Sequence, residues 1–176
     1  SGTTPLIAGV DLNSPVAVRS ENPREVGADL LANAVAAFTR YRGRCIIVDF
    51  GTALTFTAVS DTGEFLGAAI APGLRTAASA LSRSTAQLPH IELVAPPKAV
   101  GTNTVQALQS GIVYGFAGLV DGVVRRMTDE LGGGEVPVIA TGGLAATMDQ
   151  LLPLVTETDP WLTLEGLRIL ADLNRA

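Results

Sequence analysis

The strongest constraint on this chain is one run, Cys45-Ile46-Ile47-Val48-Asp49-Phe50-Gly51-Thr52, in which apolar residues lead without alternation into a carboxylate and then a glycine corner. A strand that is apolar on both faces must be covered on both, so the run predicts a central strand of an α/β domain packed between helices. Asp49 then stands at the strand end. Thr55 to Ser60, the turn Asp61-Thr62-Gly63 and Glu64 to Ala71 predict a β-hairpin in which Gly63 takes the positive φ of a tight turn. Val136 to Ala140 predicts another short buried strand.

Helices are predicted around these strands. The first runs from Pro23 to about Tyr41, with Val26, Leu30, Ala34, Ala37 and Phe38 at helical spacing. The second spans Leu74 to Leu88 and ends at Pro89. The longest covers Asn103 to Leu131, where interior glycines would let another helix pack closely. Two more follow near Leu144 to Leu152 and Thr163 to Leu173, with Trp161 expected to pack the last. Residues 1–22 carry only the short apolar piece Leu6 to Val10 and turn-prone text.

Composition limits the function classes. With 176 residues, 47 % hydrophobic and 16 % charged, the chain has ample core for one domain or two small fused lobes. Its net charge of −5 and 12 scattered basic residues form no footprint for nucleic acid or an anionic membrane. The apolar runs are cut by Gly, Pro or charge before the ~20 residues of a bilayer crossing, so no membrane is expected. Cys45, the single cysteine, cannot close an intrachain disulfide, and with one histidine, His90, no His/Cys cluster is spaced for zinc. A cytoplasmic location is expected.

Four constellations could carry chemistry. In Asp49-Phe50-Gly51-Thr52, Gly51 lets backbone N–H groups approach an anion, Thr52 adds a hydroxyl, and Asp49 can hold a hard cation. The same residues also read as a plain hairpin start. Thr141-Gly142-Gly143-Leu144 forms a glycine turn into a helix, suited to phosphate but equally an ordinary strand-to-helix turn. Glu25-Val26-Gly27-Ala28-Asp29 places Asp29 in a first helical turn, either as ordinary charge placement or as a base beside small residues. Gly101-Thr102-Asn103-Thr104 reads as a helix cap.

Taken in order, Asn22-Pro23-Arg24-Glu25-Val26-Gly27-Ala28-Asp29, Asp49-Phe50-Gly51-Thr52-Ala53, Gly67-Ala68-Ala69-Ile70-Ala71-Pro72-Gly73-Leu74, Asn103-Thr104-Val105-Gln106-Ala107, Gln109-Ser110-Gly111-Ile112-Val113-Tyr114-Gly115 and Ala140-Thr141-Gly142-Gly143-Leu144-Ala145 resemble the type III pantothenate kinases. The resemblance implies an actin-like, ribonuclease H-like lobe of the superfamily that holds acetate and sugar kinases and the heat-shock ATPases. It implies ATP-dependent phosphorylation of pantothenate to 4'-phosphopantothenate, the first step of coenzyme A synthesis, by a homodimer. By the same resemblance Asp29 is the catalytic proton acceptor. Gly27, Ala28, Asp29, Leu30 and Thr104 contact pantothenate, and Gly51, Thr52, Thr141, Gly142 and Gly143 contact ATP. Asp49 holds a monovalent cation, potassium or ammonium, and magnesium accompanies ATP.

The chain departs from the family pattern at Leu30, where an Arg is usual, at Ser20, where a Tyr is frequent, and at Leu54 and Thr57, where Thr and Asp are usual. Residues 1–20 contain no Asp-x-Gly-Asn-Thr phosphate loop. Residues 1–22 are therefore expected to be a connecting segment with a remnant of a first lobe, and 23–176 the second lobe. The alternative is a non-catalytic relative serving as a dimeric regulatory or accessory module.

Overall fold

The computed structural model describes residues 6–84 and 88–175. The end of the predicted 74–88 helix, at 85–87, lies outside the described residues, as do residues 1–5 of the expected connecting segment.

The strands are β1 Ala17–Val18, β2 Cys45–Phe50, β3 Ala53–Val59, β4 Glu64–Pro72, β5 Val138–Thr141 and β6 Glu157–Thr158. They form one sheet in the order β1-β4-β3-β2-β5-β6. β2, β3 and β4 make an antiparallel meander, and β5 and then β6 extend it in parallel from β2. This is the mixed actin-like, ribonuclease H-like sheet that the resemblance implies.

The apolar run at 45–50 is the central strand, and its side chains divide between two cores. Ile46, Val48 and Phe50 face one cluster, while Cys45 and Ile47 face the other. The second cluster is covered by α1 (Ala28–Tyr41) and α6 (Leu162–Asn174) through Leu31, Val35, Leu162 and Leu170. These helices cross so closely that a Cβ on Gly166 would run into the backbone of Ala32. The first cluster is covered by α2 (Leu74–Ser84), α4 (Gly115–Glu130) and α5 (Ala145–Met148), through Leu74, Val120, Val124 and Met148.

The predicted 103–131 helix is continuous but not uniform. Asn103 caps it by accepting from the Gln106 N–H at 2.9 Å, and α3 (Thr104–Gln109) passes through a π-helical turn at Ser110–Tyr114 into α4. Gly111 lies within that turn and Gly115 follows it, where glycine's conformational freedom eases the wider winding. A Cβ at Gly111, Gly115 or Gly118 would meet nothing within 4 Å, so none of the described helices packs against them. The run-length argument against a membrane helix also needs correction. Thr104–Glu130 spans 27 residues and holds an 18-residue window of mean hydropathy 1.4, so by length and composition it could cross a bilayer, because glycine did not interrupt it. Val113, Val120 and Val124 nonetheless pack it onto the sheet as a core helix.

Other boundaries moved for local reasons. Pro23–Glu25 is a separate 3-10 turn, and Gly27 in an extended conformation restarts the chain as α1 at Ala28. The helix predicted at 144–152 is α5 followed by a 3-10 turn, Asp149–Leu151. Trp161 does not pack the last helix, being 68 % exposed at its start. β1 and β6 are two-residue edge strands whose hydrogen bonds come from β4 and β5. The described part of residues 1–22 is tied to the rest of the chain, since Val16 is buried and Asn13 exchanges two 2.8 Å hydrogen bonds with Asn174.

Candidate functional site

The carboxylate of Asp49 stands at the end of β2, in register with Thr55 on β3 and Thr141 on β5. Paired residues project from the same face of a sheet, so the three side chains form a row of oxygens beneath α1. Asp49 Oδ2 accepts a 2.9 Å hydrogen bond from Asn33 Nδ2, and Asn33 Oδ1 accepts one of 2.7 Å from the Thr163 hydroxyl on α6. Asn33 is wholly buried, as is Thr141, whose Oγ1 has no hydrogen-bond partner. Burial pushes the Asp49 carboxyl above its ordinary range; the Asn33 bond opposes this, and the charge of Asp29 adds to it.

Two glycine turns bracket the Asp49 carboxylate. After β2, Gly51 and Thr52 are exposed, and a Cβ on Gly51 would lie 3.6 Å from Asp49 Oδ1. After β5, Gly142 has φ +91, and a Cβ there would lie 2.5 Å from the same oxygen. Only glycine fits that second place. The first turn is held from behind, because the Gly73 N–H donates to Thr52 O at 3.0 Å and the Thr76 hydroxyl donates to it at 2.8 Å. A side chain on Gly73 would collide with the Gly51 and Thr52 carbonyls.

Asp29 lies in the first turn of α1 and is exposed. Its Oδ1 accepts from the Leu30 N–H at 2.9 Å. A Cβ on Gly27 would strike that carboxylate, so glycine leaves the acid its room. Asp29 and Asn33 are four residues apart and share one face of α1. The residue that grips Asp49 therefore lies one turn below Asp29, consistent with the Asp29 charge that raises the Asp49 carboxyl.

The structure thus gathers Gly27, Ala28, Asp29, Asp49, Gly51, Thr52, Thr141, Gly142 and Gly143 about one corner. Thr141 differs from the expectation in that its side chain is sealed, so its hydroxyl does not face solvent. Leu30 packs against the apolar cluster beneath α1. Thr104 is not brought to the corner: it is exposed at the start of α3, on the side of the sheet opposite α1. Ser20 leaves a buried hydroxyl without a partner. A cavity of about 940 Å³ lined by Tyr41, Arg125, Pro137 and Leu154 lies at the far end of β5 and holds none of these residues.

Among the described residues no group of three His, Cys, Asp or Glu side chains could cage a metal. One carboxylate with an orphaned neighbouring hydroxyl is a donor set of hard oxygens, fitting a cation of low charge. Asn33 and Thr163 escaped sequence reasoning. The available signal was an amide inside the apolar stretch Leu31 to Ala37, four residues after Asp29.

A family model described as type III pantothenate kinase matches residues 1–126. The type III pantothenate kinase of Moorella thermoacetica is 50 % identical over 173 residues, covering 98 % of this chain and 68 % of that protein. The one from Anaeromyxobacter sp. is 52 % identical over 171 residues, covering 97 % and 67 %. That of Dehalococcoides mccartyi is 48 % identical over 172 residues, covering 98 % and 65 %. The chain thus spans about two thirds of the length of these curated relatives. Among solved structures, a Campylobacter jejuni chain assigned to the Baf family of transcriptional activators superposes with TM-score 0.56 at 21 % identity, covering 81 % of this chain and 64 % of that one. The ethanolamine utilization protein EutJ from Carboxydothermus hydrogenoformans gives 0.50 at 14 %, covering 81 % and 53 %. At such identities these two show the shared fold. On the family model and the near-complete coverage at about half identity, the chain belongs to the type III pantothenate kinase family, enzymes that phosphorylate pantothenate on the way to coenzyme A.

Proposed function

We propose that this chain carries the second lobe of an ATP-dependent pantothenate kinase, with residues 23–176 as the lobe and 1–22 as the connecting segment. The γ-phosphoryl of ATP would meet the primary hydroxyl of pantothenate at the corner between Asp29 and Asp49. The observation that carries this reading is that Asn33, one helical turn from Asp29, binds the Asp49 carboxylate beside a pair of glycine turns.

Asp29 is the catalytic residue in this reading. Its exposed carboxylate accepts the hydroxyl proton as the new O–P bond forms and the bond from the γ-phosphorus to the bridging oxygen breaks, releasing ADP. Gly27 and Ala28 leave space for pantothenate beside it, and Leu30 adds backbone on the same turn. Backbone N–H groups of Gly51, Thr52, Gly142 and Gly143 receive phosphate oxygens, because glycine permits the close approach. Asp49 and the Thr141 hydroxyl would hold potassium or ammonium, with magnesium arriving on ATP. Such cations offset the negative charge of the transferring group.

Homodimerisation through the α3–α4 side would bring Thr104 of a second copy toward pantothenate, and the open space over Gly111, Gly115 and Gly118 supports that face. A cytoplasmic location accords with the lone, buried Cys45.

The test is ATP-dependent phosphorylation of pantothenate with potassium present, for this chain and for the chain joined to a family first lobe. The joined protein is expected to form product, and its Asp29→Asn variant to form none while remaining folded. Absence of product from the joined protein, together with no heat on calorimetric titration with pantothenate, would favour the non-catalytic module instead.

A further inference from the structure

We infer that Asn33, held in place by Thr163, is a positioning residue that decides which oxygen of Asp49 faces the glycine corner. The inference rests on the reading of Asp49 as the cation anchor. Asn33 is wholly buried, so water cannot replace either of its partners. Its Oδ1 can only accept, and the Thr163 hydroxyl donates to it at 2.7 Å. That bond leaves Nδ2 as the end that meets Asp49, donating to Oδ2 at 2.9 Å. With Oδ2 engaged, Oδ1 is the oxygen that lies beside the Gly51 and Gly142 turns. Were the amide reversed, its carbonyl oxygen would face a carboxylate oxygen with no proton between them.

Packing explains how Thr163 reaches that place. Gly166 lets α6 lie against the backbone of Ala32, the residue before Asn33. Thr163 is three residues earlier on the same face of α6. The close crossing of the two helices is thereby converted into the orientation of a carboxylate on the sheet below. An apolar residue at 33 would suit the surrounding Leu31, Ala32, Ala34 and Val35 better, unless the amide were needed by Asp49.

The test measures binding of thallium(I), a probe for potassium sites, to the full chain by thallium NMR, so turnover is not the readout. Wild type is expected to bind and Asp49→Asn to lose binding. Thr163→Val, equal in shape but without the hydroxyl, is expected to weaken binding by about tenfold, as befits a hydrogen bond serving a charged group. Thr163→Ser restores the hydroxyl and is expected to stay within about twofold of wild type on the same reasoning. Asn33→Leu is expected to match Asp49→Asn; should it not fold, the Thr163 pair decides alone. If Thr163→Val and Asn33→Leu bind like wild type while Asp49→Asn does not, the positioning role is overturned and the anchor stands. Absence of thallium binding by wild type overturns the anchor itself, and the positioning role with it.

Discussion

The two sides of the sheet are closed in different ways. On the α1–α6 side this chain supplies its own cover: Leu31 to Ala37 are buried without a gap, and Gly166 brings the second helix onto the first. On the α2–α4 side the cover is partial. α2 buries only Leu74, α3 buries no residue, and Val100 and Val105 stay 81 % and 42 % exposed. The candidate base Asp29 and the candidate cation anchor Asp49 belong to the closed side. A carboxylate whose orientation matters needs neighbours that cannot shift, and dense packing on that side supplies them.

The sharpest way to break this contrast is Asp29→Asn in the joined two-lobe protein, since it changes chemistry without touching the packing. Turnover should fall by roughly 10²–10⁴-fold while the melting temperature holds, the span of a general base. A steady-state assay beside a thermal melt checks both halves, and unchanged turnover would remove Asp29 from the mechanism. Next comes Gly166→Ala, which overpacks the closed side against the Ala32 backbone and should destabilise the chain by about 3 kcal/mol or more in chemical denaturation. A neutral result would mean the two helices are free to separate.

The third test uses pH. Burial pushes the Cys45 thiol from 9.0 up to about 12, so above pH 9 the unfolded chain releases a proton that the folded chain keeps. Stability should therefore fall as pH rises from 9 toward 12, and the decline should be shallower in Cys45→Ala. Denaturation midpoints across that range would show equal slopes if the closed side admitted water. The smallest expected effect is Val105→Ser on the open side, within about 0.5 kcal/mol of wild type for the isolated monomer. Sedimentation should nonetheless show weaker self-association, and an unchanged dimer would shift the proposed interface away from α3.

Much of the fold was legible because its signals are local. The unbroken apolar run at 45–48 reads as an interior strand, and Gly63 between two strand-like segments reads as a turn. The site was legible in part for the same reason: Asp49, Gly51 and Gly142 sit where a strand ends and a glycine turn begins. The side of the sheet on which Thr104 lies was not legible, because nothing in a cap motif tells where its helix will pack. Asn33 stayed hidden because, inside an alanine-rich helix, an amide looks like any tolerated polar residue until its partners are known.

From the sequence alone came the central strand, the hairpin, the glycine turns and the family, since each is encoded in neighbouring residues or in an ordered set of motifs. The tertiary structure alone decided that residue 163 on the last helix reaches residue 33 on the first and, through it, residue 49. That contact joins side chains 130 positions apart. It depends on a helix crossing that only the folded chain creates, at a glycine whose missing side chain matters solely because another backbone lies against it.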